Sequence, residues 1–161
     1  GPETYSFTIP YYYVYGYNGT DVNAAKKTAN YTTYGVLYNW TAACSSCPSG
    51  WHLPTDAEWT ELTDYLGGDS VAGGKLKETD TTHWKSPNTG ATDEVGFTGL
   101  PGGYKSPDGI WEYLGEYGNY YTTSDSSTTH AYRYYLSYQH KWIFRAASHK
   151  NYCFSVRCVK D

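Results

Sequence analysis

The four cysteines of this 161-residue chain stand as two distant pairs, Cys44 and Cys47 in "CSSC" and Cys153 and Cys158 in "CFSVRC". No other feature constrains the fold as much, because a bridge between the pairs ties the first third of the chain to its end. Residues 152–159 read as a strand, on which side chains five apart point to opposite faces ~16 Å apart, beyond the ~7 Å Cα reach of a disulfide. A Cys153–Cys158 bridge is therefore disfavoured. Bridges from the early pair to the late pair are expected, Cys47 with Cys158 first and Cys44 with Cys153 second; an internal Cys44–Cys47 bridge or free thiols are the alternatives. Closing a loop of ~100 residues stabilises by up to ~4–5 kcal/mol in the chain-entropy account. A zinc site of four thiolates fits poorly, since the spacing of the second pair is not that of a zinc knuckle. Disulfides belong to oxidising compartments, which points to a secreted or cell-surface protein.

The length suits one globular core. Leu, Ile, Val and Phe make up only about 14% of the residues, under the ~20% that usually warns of disorder. Tyrosine reverses the warning: there are 20 Tyr and 6 Trp, and the charged fraction is only 17%. The core must be largely aromatic, and a Tyr surplus also suits surfaces that bind, since each ring is apolar with a hydroxyl that stays wet. The 12 Lys and Arg are scattered in a chain of net charge −4, so nucleic acid is not an expected partner. No apolar run of 18 residues occurs, so no membrane insertion is expected. The Gly1-Pro2 start reads as a protease-cleavage scar, and a missing leader carries no information.

Residues 1–33 read as an N-terminal strand and lead-in, with the β-prone, aromatic stretch 5–17 interrupted by Pro10 as an edge strand. A helical turn is suggested in "NAAKKTA". Residues 34–161 read as the main domain. It opens with "YGVLYNWTAAC", a short helix or a strand running into one. Thr55 with Glu58 forms a capping box, Asp56 puts negative charge in the first turn and Gly67 supplies a stop, which predicts a helix over 56–66. Trp59, Leu62 and Leu66 share its inner face. Residues 67–118 are glycine-rich and read as long irregular loops. Strands are expected at 120–123, 131–138, 141–147 and 152–159, giving an α+β domain with a β-rich C-terminal half.

The stretches "GWHLPTDAEW", "GFTGLPGGY" and "FSVRCVKD", in this order, resemble the Fibrobacter succinogenes major paralogous domain of surface and secreted bacterial proteins. "LPTDAEW" is also similar to a stretch of formylglycine-generating enzymes, within the wider C-type lectin-like fold. The resemblance implies two helices packed on a looped antiparallel sheet, chain ends close together, and a late strand tied to an early segment by disulfide. It further implies a single domain, monomeric within a larger surface protein. Diversity-generating retroelements retarget C-type lectin-like proteins by mutating outward strand positions near the C terminus, and 119–153 is the corresponding region here.

Three chemistries can be set against binding. A formylglycine-generating-like copper oxidase would need both Cys153 and Cys158 as thiolates. Hydrolysis lacks its parts, since the five histidines show no metal spacing and no nucleophile motif is present. Catalysis is therefore not expected. Calcium would need Asp69, Asp80, Asp93 and Asp108 to converge; no metal or cofactor is expected beyond such a structural calcium. Beside the oxidase, the other alternative to an adhesin-like role is a purely structural module, in which Trp142 and Phe144 would be buried. The period of two instead puts Leu136 and Ile143 inward and Arg133, Tyr135, Ser137, Trp142 and Phe144 outward, with Tyr121, Tyr138, His140 and His149 near strand ends. These nine residues are the expected contact surface for a protein or glycan ligand.

Overall fold

The computed structural model describes residues 8–161. Of the expected N-terminal strand, residues 5–7 lie outside that range and only β1 (Tyr12–Tyr13) forms, paired antiparallel with β2 (Leu37–Tyr38). Between them lie α1 (Val22–Lys26) and α2 (Ala29–Tyr34), capped by the side chains of Asp21 and Thr28. Next come α3 (Trp40–Ala43), β3 (Trp51–His52), α4 (Asp56–Tyr65) and α5 (Asp69–Leu76). A short hairpin of β4 (Tyr104–Lys105) and β5 (Trp111–Glu112) follows. The main sheet, β6 (Tyr117–Asp125), β7 (His130–Ser137) and β8 (Ile143–His149), is antiparallel in the order β6-β7-β8. The last strand, β9 (Val159–Lys160), pairs with β3. The architecture is α+β, with five helices and small antiparallel sheets among the described residues.

The α4 boundary follows from its local chemistry. Thr55 Oγ accepts from the Glu58 N–H at 3.2 Å, and the Glu58 carboxylate accepts from the Thr55 N–H at 2.8 Å, so both ends of the capping box are made. Trp59 and Leu66 are buried, and the Trp59 indole stacks on Tyr134 of β7 with centroids 5.1 Å apart. They join Tyr120, Leu136, Ile143, Leu76 and Trp84 in the core between helices and sheet. Trp51, on β3, lies outside this core and is 45% exposed.

The glycine-rich stretch is not all loop. "DSVAGGKL" forms α5, although Gly costs ~1 kcal/mol in a helix interior. Close approach to the sheet explains the cost: a Cβ on Gly73 would sit 2.0 Å from the Trp142 carbonyl oxygen, and one on Gly74 would sit 2.2 Å from that of Gly90. The Gly74 N–H donates to the Lys141 carbonyl at 2.8 Å. Lys77, just past the helix, is fully buried, and its ammonium donates to the carbonyls of Thr89, Ser137 and His140 at 2.8–2.9 Å. Burial pushes its pKa down to about 8. These contacts fix the β7–β8 turn.

The expected strand over 152–159 is broken. Residues 153–155 make isolated bridges to Lys105, Tyr38 and Tyr120, and regular pairing resumes only in β9. Cys47 and Cys158 are bonded, with Cα atoms 5.8 Å apart. The second expected bridge does not form: Cys44 is exposed, Cys153 is buried, and both are free.

Candidate functional site

Alternation along the sheet separates two faces. Tyr120, Tyr134, Leu136 and Ile143 point to the helices, while Tyr121, Ala131, Arg133, Tyr135 and Phe144 point away from them. The far face is covered at one end, where Tyr121 and Ala131 pack with Ala43, Leu53 and Phe154 into a second core. Toward the other end no such layer covers it among the described residues, and a continuous band of rings runs across the strands. Tyr104 meets Tyr113 at 5.5 Å, Tyr113 meets Tyr117 at 5.1 Å, and Tyr117 meets Tyr135 at 5.9 Å between centroids. Tyr135 stacks on Phe144 at 4.9 Å, and beyond it His140 stacks on Trp142 at 5.3 Å. His140 also meets Phe144 edge-on at 5.6 Å.

Of the nine residues expected on a ligand surface, Arg133, Tyr135, His140, Trp142 and Phe144 are brought together on this face. Trp142 is 48% exposed and Phe144 is half-buried. His149 lies at the end of the same region, edge-on to His130 at 5.3 Å. Three others are elsewhere. Tyr121 is fully buried in the second core, its hydroxyl donating to the Tyr152 carbonyl at 2.8 Å. Ser137 is 1% exposed, with its carbonyl held by Lys77. Tyr138 packs against the helix-side core. Both tyrosines lose the surface to tertiary cover that a period of two does not report.

Sequence reasoning missed Tyr104, Tyr113 and Tyr117. The dense run from Trp111 to Tyr121 was the available signal, but the turn that brings Tyr113 back over the sheet was not readable. Tyr113 is 43% exposed and holds φ at +61°, a region that bulky L residues rarely adopt.

Arg133 occupies the middle of the face. Its Nε donates to Ser148 Oγ at 2.7 Å and its Nη1 to Asn119 Oδ1, and the guanidinium lies 4.6 Å from the Tyr135 ring centre and 4.8 Å from that of Phe154. Burial lowers its pKa. Two hollows flank it. One, of about 290 Å³, is lined by Tyr104, His130, Arg133, Ser148, His149 and Tyr152; the other, of about 210 Å³, by Tyr104, Tyr113, Tyr117, Asn119, Arg133 and Tyr135. Burial and the neighbouring His130 lower the His149 pKa. A larger hollow of about 430 Å³ lies on the helix side, between α4 and Phe97. Of its charged lining residues, Glu58 is engaged by Thr55 and Arg157 by the Phe97 carbonyl.

Asp93 accepts from Thr98, Asp80 from Thr82, and among the described residues no three His, Cys, Asp or Glu side chains gather as metal ligands. The oxidase reading needs Cys158 free, whereas it is bonded to Cys47. The remaining thiol, Cys153, is pushed up to about 12 by burial, away from thiolate character. No helix among the described residues is long and apolar enough to cross a membrane.

No curated protein and no solved structure matches the chain significantly. The sequence pattern of the Fibrobacter succinogenes major domain, however, matches residues 6–160. That span contains both cores, the bridge between Cys47 and Cys158, and the whole aromatic face, and by it the chain belongs to the Fibrobacter succinogenes major domain family.

Proposed function

We propose that this is a secreted or cell-surface, adhesin-like domain that binds a protein or glycan ligand through the open face of the β6-β7-β8 sheet. The observation that carries the reading is the unbroken band of rings from Tyr104, at the edge of the second core, to Trp142, partly exposed on the sheet face turned away from the helices. Tyr and Trp rings stack on sugar faces and dominate protein hot spots, and they bury large area with few rotatable bonds. The left-handed backbone at Tyr113 adds support, since strain of this kind concentrates at ligand clamps. The disulfide favours an oxidising compartment. An exposed Trp142 argues against a purely structural module.

Within the same reading the fold is of the C-type lectin-like kind, supported by the late segment bonded to an early one and by the two longest helices packing on one sheet face. Retroelement diversification of 119–153 belongs to it as well; without a template repeat bearing adenine-specific differences beside the locus, that part falls. The test of the binding face is a glycan and cell-surface screen of the wild type against Trp142→Ala and Phe144→Ala. Reduced binding with unchanged melting is expected. Full binding by both folded variants would remove this face from consideration.

A further inference from the structure

The sheet carries two arginines in different settings. Arg145, facing the helices, holds the Asp56 carboxylate through Nε at 2.6 Å and Nη2 at 2.8 Å. Arg133, on the open face, is the more buried of the two and pairs with no Asp or Glu among the described residues. The ionisable groups that bear on it most are the hydroxyls of Tyr135, Tyr104, Tyr121 and Tyr152. Glu112, on the hairpin, is itself engaged by the Tyr104 hydroxyl. A guanidinium taken out of water without a counter-ion is costly, and proteins ordinarily pair such a charge.

Nor is Arg133 loose. Ser148 and Asn119 hold its Nε and Nη1, and two aromatic rings flank its plane. A guanidinium has five N–H donors, so three remain, on Nη1 and Nη2, along the edge that suits end-on, two-point contact with a carboxylate. Both hollows of the open face share Arg133 and Tyr104 as their common wall. At about 290 and 210 Å³, each falls below the ~300–1,000 Å³ of pockets that enclose drug-sized ligands. Each suits one ring of a longer chain.

Resting on the reading that the aromatic face is the binding face, we propose that Arg133 is a carboxylate anchor and that the ligand is an acidic saccharide, with a uronic acid unit seated at Arg133 and neighbouring sugars on the tyrosines. The walls favour a saccharide over an acidic peptide: they are ring faces, hydroxyls, an amide and imidazoles, which match a polyhydroxylated chain carrying an occasional carboxylate. Because the protein as a whole is negative, at −4, this attraction is local to the site. The acid group would supply the charge that the fold withholds.

The experiment is calorimetric titration of the full chain with three probes: an oligogalacturonate, a neutral galacto-oligosaccharide of equal length, and an oligoglutamate peptide. The wild type is expected to bind the oligogalacturonate at least about tenfold more tightly than the other two. Arg133→Gln should lose about tenfold or more for the acidic sugar alone, with Arg133→Lys in between. The wild-type comparison needs no variant, so it decides even if Arg133→Gln unfolds. Equal binding of acidic and neutral sugars overturns the carboxylate anchor; if Phe144→Ala then weakens both, the aromatic face itself stands. Preference for oligoglutamate overturns the saccharide assignment. Binding of none of the three overturns the proposal, and the screen with Trp142→Ala and Phe144→Ala then judges the face separately.

Discussion

Removing the bridge between Cys47 and Cys158 tests how much of the stability is owed to a constraint on the unfolded chain. The two residues are 111 apart. In the chain-entropy account a closed loop of that length restricts the denatured ensemble by about 16 cal/mol/K, or about 4.8 kcal/mol at 25 °C. Domains of this kind are stable by only ~5–15 kcal/mol in total. The Cys47→Ala, Cys158→Ala double variant keeps the β3–β9 pairing and the bond from Asp161 N–H to the Gly50 carbonyl, so the native contacts nearby survive. Urea unfolding followed by Trp fluorescence should show the midpoint falling by about 2 M, for a slope of ~2 kcal/mol/M. A fall of less than about 0.5 M at unchanged slope would refute the reasoning, since it would mean that the unbridged chain is already held compact. Thiol counting gives the control: the native wild type should offer Cys44 alone, slowly, because the residue is exposed but its thiol is partly desolvated and stands near Asp125, both of which push its pKa up to about 11; Cys153 should react only after unfolding.

Two further outcomes follow from particular contacts. Gly73→Ala would gain up to ~1 kcal/mol by helix propensity but forces a methyl to 2.0 Å from the Trp142 carbonyl oxygen, so a net loss of about 2–3 kcal/mol and altered Trp142 emission are expected; a raised melting temperature would contradict the close approach of α5 to β8. His52 is held at both nitrogens, by Asp161 and Glu58 at 2.7 Å each, which raises its pKa, while the Thr55 backbone N–H and then His52 lower that of Glu58. The imidazole contribution is complete below its ordinary 6.5 and is lost as pH rises through the raised folded value; the Glu58 contribution is complete above 4.5 and is lost as pH falls through the lowered one. The contribution of this pair should therefore be greatest between about pH 4.5 and 6.5, so the difference in melting temperature between the wild type and His52→Gln should be largest there and shrink on the alkaline side; a difference independent of pH would count against this.

Features closed within a few residues were legible in the chain. The capping box of Thr55 and Glu58 needs no distant partner, and α4 begins where it should. The period of two correctly sends Leu136 and Ile143 inward, because a strand's alternation is local geometry. What was not legible depends on approach from elsewhere. Gly73 and Gly74 read as loop because the β8 backbone and Gly90 that demand them lie far along the chain. Tyr121 reads as surface until α3 and Phe154 cover it. Tyr104 and Tyr113 reach the site only through a hairpin and a left-handed residue that local propensity disfavours. That Arg133 faces no Asp or Glu among the described residues depends on where distant segments come to lie, which no sequence pattern records.

The covalent tie also determines how the domain would carry load. Pulled through its two ends, an unbridged chain of this length could pay out to roughly 550 Å at ~3.4 Å per residue. With Cys47 joined to Cys158, force passes from one to the other through the sulfurs, and the 111-residue span between them hangs outside the loaded path. Only about 50 residues can then be drawn straight, roughly 170 Å. Tyr104, Tyr113, Tyr117, Arg133, Tyr135, Trp142 and Phe144 all lie inside the sheltered span. With the pull applied between the two ends, the strands beneath that face would have no tension along their backbone, and the face would keep its shape while the ends are drawn out.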